Sequence, residues 1–167
     1  MMQSAVTENQ NFTRSRHDGK QGVRAAAWQN LAGMRYDHDT TDARGIQVRV
    51  SILSPGQMTE DMLVSAWVTG NDVNRVRSLF ENWFSGNMRV VHFDHAGAWG
   101  QTVRVAARVD LTGMDADNLY FYSYDSAENR FRRIPEPNHR VDVNGFLHFS
   151  VDTGGAVVIS DGPLTRR

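Results

Sequence analysis

From Ile46 onward the apolar side chains recur at every second position, and this period restricts what the chain can fold into more than any other feature. In IQVRVSIL (46–53), Ile46, Val48, Val50 and Ile52 alternate with Gln47, Arg49 and Ser51. Successive side chains of an extended chain point to opposite faces, so such a run is a strand with one buried face. TVRVAARVDL (102–111) repeats the pattern, with Val103, Val105, Ala107 and Val109 set against Arg104, Ala106, Arg108 and Asp110. LVSAWVTG (63–70), MRVVHF (88–93), LYFYSYD (119–125), NRFRRI (129–134), GFLHFSV (145–151) and AVVIS (156–160) read as further strands. Ser54-Pro55-Gly56 ends the first, and the turn clusters TGMDADN, DSAEN, DVNG and DTGG separate the later ones.

Short strands at this spacing predict a mainly β fold, a β-sandwich-like domain of the immunoglobulin or jelly-roll kind. One segment breaks the period of two. Val73, Val76, Phe80 and Trp83 follow one another at steps of 3, 4 and 3, with Arg75, Arg77, Glu81 and Asn82 on the other side. That spacing predicts one amphipathic helix over 72–84, capped by Asn71 or Asp72, packed on a sheet and ended by Ser85-Gly86-Asn87. VRAAAWQNLAGM (23–34) reads as a shorter helix, and RYDHDTTDARG (35–45) as a loop rich in Asp and Thr.

A chain of 167 residues is long enough for one self-sufficient domain, here 23–164. Residues 1–22 are polar and are expected to form a disordered arm, with 165–167 a short tail. The arm has neither the basic start nor the apolar stretch of a signal peptide, as expected for a piece of a longer protein.

Charge and composition remove whole classes of function. The net charge of −1 argues against a nucleic-acid partner. Of the 18 basic residues 17 are Arg, but they are spread from Arg14 to Arg167, as genome base composition would scatter them, and not clustered as phosphate binding would need. The absence of cysteine excludes disulfides, thiolate metal sites and cysteine nucleophiles. No apolar run approaches the 18 residues of a membrane span. Phosphate-binding glycine motifs and the nucleophile elbow are missing, and none of the five Glu stands in a pair suited to acid–base work. No catalytic residue, metal ligand set or cofactor is therefore assigned.

The strongest candidate site is a ladder of tyrosines. Tyr120, Tyr122 and Tyr124 share one face of a strand, and Leu119, Phe121 and Ser123 share the other. Leu119 and Phe121 make the better core pair, because a tyrosine hydroxyl needs a partner. The tyrosines then form an outer platform for a sugar or a protein, or else pack across strands partly beneath the 72–84 helix. Arg104 and Arg108 would stack on the rings if their strand lay alongside. Trp99, in the turn HAGAWG, is either a ligand anchor or a plug for the end of the sandwich, whereas Trp67 and Trp83 are read as core.

The other polar clusters point less clearly to chemistry. His92, Asp94 and His95 form the one group resembling metal ligands, with His38 reachable only through tertiary approach; a third ligand for zinc is not visible nearby. Asp115, Asp117, Asp125, Asp142 and Asn144 lie in turns, where backbone geometry favours them, and lack the order of a calcium loop.

The stretch LTGMDADNLYFYSYDSAENRFRRI, followed by VDVNGFLHFSVDTGGAVVISDGPL, resembles β-rich accessory modules of secreted and cell-surface proteins of Gram-positive gut bacteria, over residues 88–164. The carrying features are the alternating Tyr strand, the Asn-Gly hairpin and the closing V-I-S-D strand. The resemblance implies an extracellular or cell-surface setting and hands over no catalytic residue. The functional expectation is a non-catalytic binding or spacer module that presents Tyr120, Tyr122 and Tyr124, with Trp99, to a glycan or protein. Two alternatives stand beside it: a structural self-association domain, and a metal-assisted hydrolase using His92, Asp94 and His95.

Overall fold

The computed structural model describes residues 5–6, 14–17, 20–23, 35–53 and 62–164. Two sheets face each other. The first has the order β1 (Ala5–Val6), β4 (Arg35–Asp42), β5 (Gly45–Leu53), β9 (Ala98–Ala107), β13 (Leu147–Thr153), β12 (Arg140–Val141). The second has the order β11 (Arg130–Arg133), β10 (Tyr120–Asp125), β14 (Ala156–Ser160), β8 (Met88–Phe93), β7 (Ala66–Trp67). A small third sheet joins β2 (Arg14–His17), β3 (Lys20–Val23) and β6 (Met62–Leu63). All pairings are antiparallel except that of β1 with β4. The mainly β, sandwich-like fold is as the alternation predicts.

Between the sheets lies the main core. Val48, Val50 and Ile52 of β5, Val103, Val105 and Ala107 of β9, and Leu147, Phe149 and Val151 of β13 meet Phe121, Val91, Phe93, Val157 and Ile159 of the second sheet. The alternation places each of these inward, and their burial is the main term holding the sandwich together.

The second sheet is buried on its other face as well. The helix α1 (Asn71–Glu81) lies across it and buries Val73, Val76 and Phe80 against Met88, Val90, Tyr122, Ala156 and Val158. Every residue of β14 is consequently buried. The helix starts from Gly70 with no side-chain cap; the Asn74 amide donates to the Gly70 carbonyl. Neither Asn71 nor Asp72 caps it, because both fall inside its first turn.

Four local expectations need correction. Residues 35–42, expected in a loop, form β4. Their inward side chains are Tyr36, His38 and Thr40, and a polar inward face hides the alternation. These groups are nevertheless partnered: Tyr36 Oη lies 3.3 Å from His38 Nδ1, His38 Nε2 lies 3.1 Å from Ser65 Oγ, and the Ala66 amide donates to Thr40 Oγ1. The strand expected over 63–70 is two short pieces, β6 and β7. The strand expected at 102 starts at Ala98 and takes in Trp99. The short strand β12 lies where none was expected. Of the arm expected over 1–22, the described residues contribute β1, β2 and most of β3. Val23 ends β3, and the rest of the helix expected over 23–34 lies outside the described residues, as does the 165–167 tail.

Candidate functional site

The tyrosine ladder stands on the outer side of the second sheet, with Leu119 and Phe121 in the main core, as the sequence suggests. That outer side is roofed. Phe80 of α1 packs on Tyr122 with ring centroids 5.6 Å apart and meets Phe131 edge-on at 4.9 Å. Tyr122 is 5% exposed, and its hydroxyl accepts a hydrogen bond from the Leu164 amide at 2.8 Å. Tyr120 and Tyr124 are half-buried. Tyr124 donates its hydroxyl hydrogen to Asn129 Oδ1, and the Arg133 guanidinium lies 4.7 Å from the Tyr120 ring centroid. The three rings pack across strands and under the helix; they do not make an open platform.

Trp99 is not a surface anchor either. It is 2% exposed, edge-on to Phe93 at 6.0 Å and stacked on His95 at 4.2 Å. It plugs one end of the main core. Trp67 and Trp83, read as core, are half-buried at the rims of the second sheet. The Trp67 indole N–H donates to Asp94 Oδ1 at 3.1 Å, and Trp83 meets Phe131 edge-on.

Arg104 and Arg108 lie far from the tyrosines in the pairing order, because β9 belongs to the first sheet while β10 pairs with β11 and β14. Alternation cannot say which sheet a strand joins. Both arginines point outward from the first sheet and hold its flanks. Arg108 Nη1 donates to the Ile46 carbonyl and its Nη2 to the Asp42 carboxylate, which ties the β4–β5 hairpin to β9. Arg104 Nη1 donates to the Asn138 carbonyl and to Ser150 Oγ, each at 2.9 Å. Asn138 has a φ of 50°, so this bond fixes a left-handed turn in the 134–139 connection.

The outer face of the first sheet thus carries ordered rows of polar groups. One row runs Asp39, Arg49, Ala106, His148, Arg140 across five strands, and the next runs Asp37, Ser51, Arg104, Ser150 across four. Arg49 forks onto Asp39 at 2.6 and 2.8 Å, which raises its pKa. His148 Nε2 sits 2.7 Å from Asp142 Oδ2. This contact, and then the Phe146 and Asn144 amides, hold the Asp142 carboxyl below the usual carboxylate range. Partial burial lowers the pKa of Arg104, and the charge of Arg140 lowers it further. Sequence reasoning named Arg104 and Arg108 but missed Arg140, His148 and Ser150. The outward positions of His148 and Ser150 were legible, since they alternate with Leu147, Phe149 and Val151.

The His92, Asp94 and His95 group is drawn into separate contacts. His92 pairs with Trp67 across β7 and β8, Asp94 accepts from the Trp67 indole, and His95 stacks on Trp99 with Nε2 at 2.9 Å from the Ala98 carbonyl. Among the described residues, no group of three or more His, Asp or Glu is placed to hold a metal ion. The turn carboxylates bind their own backbones. Asp115 accepts from the Asp117 amide, Asp125 from Ala127, and Asp142 from Asn144 and Phe146. No helix among the described residues is long and apolar enough to cross a membrane.

Compared with known proteins, the chain matches no family model, no curated protein and no solved structure.

Proposed function

We propose that this domain is a non-catalytic binding module of a bacterial surface or secreted protein, and that it contacts a glycan through the outer face of its first sheet. The observation that supports this is the preorganisation of that face. Arg49, Arg104 and His148 stand on strands at fixed register positions and Arg108 directly follows β9, and each is pinned by a hydrogen bond or ion pair. A rigid array loses little conformational entropy on binding. Among the described residues, the face carries no large apolar anchor of the kind that dominates protein interfaces. Neighbouring strands lie about 4.8 Å apart, so each row offers a polar group on every strand, Ala106 of the first row excepted, to an extended hydrophilic chain laid across them.

The test is isothermal titration with a panel of polysaccharides, using the unmodified domain and Ala106→Gln. Ala106 sits in the middle of the first row, so a longer neutral side chain there obstructs the face without disturbing the core. Saturable binding that Ala106→Gln weakens supports the reading. Binding that Ala106→Gln leaves intact, or silence across the panel, overturns it.

A second reading, self-association, draws on β12, the terminal strand of the first sheet among the described residues. Val141 is 41% exposed and Val143, at the hairpin tip, is fully exposed. Sedimentation over a wide concentration range tests it, and a strict monomer at high concentration removes it.

A further inference from the structure

Within the outer face of the first sheet, two guanidinium groups differ from the rest. Arg49 is matched by Asp39, Arg108 by Asp42 and Arg35 by Asp37. Neither Arg104 nor Arg140 has a carboxylate within ion-pair distance among the described residues. They are also close neighbours. β13 pairs on one side with β9, placing Ser150 beside Arg104, and on the other with β12, placing His148 beside Arg140. The two cations therefore lie on diagonal positions either side of β13. Arg104 is held in place by Ser150 Oγ and the Asn138 carbonyl, through one nitrogen, Nη1. Arg140 is exposed.

Two like charges kept together without a counterion repel each other. An anion that bridges them relieves the repulsion and satisfies the remaining N–H donors, and guanidinium forks suit the paired oxygens of sulfate and carboxylate. From this juxtaposition we infer that Arg104 and Arg140, with Ser150 between them, form the charged subsite of the glycan face, and that the ligand is an anionic polysaccharide bearing sulfate or carboxylate groups. This inference rests on the binding reading above and specifies the ligand class. The neutralised remainder of the face would then hold the uncharged hydroxyls of the same chain.

The experiment titrates the domain with dextran sulfate, polygalacturonate and unmodified dextran at two salt concentrations. Saturable, salt-sensitive binding of either anionic polymer is expected, with none of dextran. Dextran sulfate against polygalacturonate separates a sulfate from a carboxylate ligand. Arg140→Glu is expected to weaken binding about tenfold or more, since it removes a charge-assisted contact and adds repulsion. Arg104→Gln is expected to act in the same direction while keeping an amide donor toward Ser150. Arg132→Glu, on the edge of the second sheet, serves as the control and should change affinity less than about twofold. Thermal melts of all three variants verify folding.

Three results would overturn the inference, and they are distinguishable. Equal weakening by Arg132→Glu and Arg140→Glu means diffuse charge attraction and no subsite. Binding of unmodified dextran that is indifferent to Arg140→Glu leaves the glycan face standing and removes its anion specificity. Failure of all three polymers to bind removes both.

Discussion

Phe80 and Tyr122 pack in a tilted ring contact, centroids 5.6 Å and planes 52° apart, and this contact fastens the helix to the second sheet. It converts the most conspicuous sequence feature of the chain from a surface into a core. Phe80→Ala is expected to destabilise the domain by about 3–5 kcal/mol, the usual cost of removing a buried ring. Tyr122→Phe keeps the ring but takes the acceptor away from the Leu164 amide, and should cost about 1 kcal/mol. Denaturant melts of the two variants check both values. A Tyr122→Phe variant that loses ligand affinity with unchanged stability would return the tyrosines to the binding surface.

The polar inward side of β4 gives a second expectation. Thr40 is 6% exposed, and its hydroxyl accepts from the buried Ala66 amide. Thr40→Val preserves shape and β propensity but leaves that amide without its acceptor. The expected loss is about 1–3 kcal/mol, the cost of a buried unsatisfied donor. A loss below about 0.5 kcal/mol in urea titration would mean that the strand relaxes to find another acceptor.

How far the sequence reaches is visible in β4 and β10. Alternation located Val48, Val50 and Ile52 of β5 and Val103, Val105 and Ala107 of β9, because these inward positions are apolar, but it missed the buried Gln47 and Trp99. It missed β4, because Tyr36, His38 and Thr40 look like loop residues until their buried partners are known. In β10 it assigned the faces correctly but left open whether the outward one is covered. Whether an outward face is open depends on what packs over it, and Phe80 and Phe131 come from segments that local patterning cannot position. The same limit left open which sheet carries Arg104 and Arg108. Their orientation was local information, whereas their neighbours were not.

Acid should weaken the fold through identifiable carboxylates. Asp142 is held below its ordinary pKa by His148 first and then by the Phe146 and Asn144 amides; Asp42 is held down by Arg108 and then by the Arg44 amide. A carboxyl whose folded pKa lies below its unfolded value contributes stability that is fully present above the unfolded value, about 4, and lost as pH falls through the folded one. Stability is therefore expected to be level above about pH 5 and to decline below about pH 4. Asp142→Asn should lower the plateau and flatten the decline. Urea midpoints measured from pH 7 to pH 2.5 decide this. An acid limb identical in Asp142→Asn and the parent would show that other groups carry it.

Gly154 gives the sharpest steric expectation. It lies in the β13–β14 turn, where its amide donates to the Gly97 carbonyl, and a β-carbon there would stand 2.1 Å from the His95 carbonyl oxygen. The oxygen is backbone and the β-carbon is fixed by its own backbone, so no side-chain rotation relieves the clash. Gly154→Ala should cost about 1–3 kcal/mol or more and should disturb the His95–Trp99 stack. Thermal melts and tryptophan fluorescence report the two effects together. A variant as stable as its parent, with unchanged fluorescence, would mean that the turn has room to move.

The place of β14 bears on how the molecule is made. It follows every other described strand in chain order, yet it lies between β10 and β8, with the helix on one side and the opposing sheet on the other. Until it arrives, β8 and β10 have no edge to share, and both cores stand open along their centre. A ribosome delivers residues in sequence at about 5–20 per second, so the earlier strands wait in an incomplete sandwich for the last one. The second sheet therefore closes only once β14 is in place. Nascent chains that stall before Ala156 should expose the two unpaired edges most prone to sticking to one another.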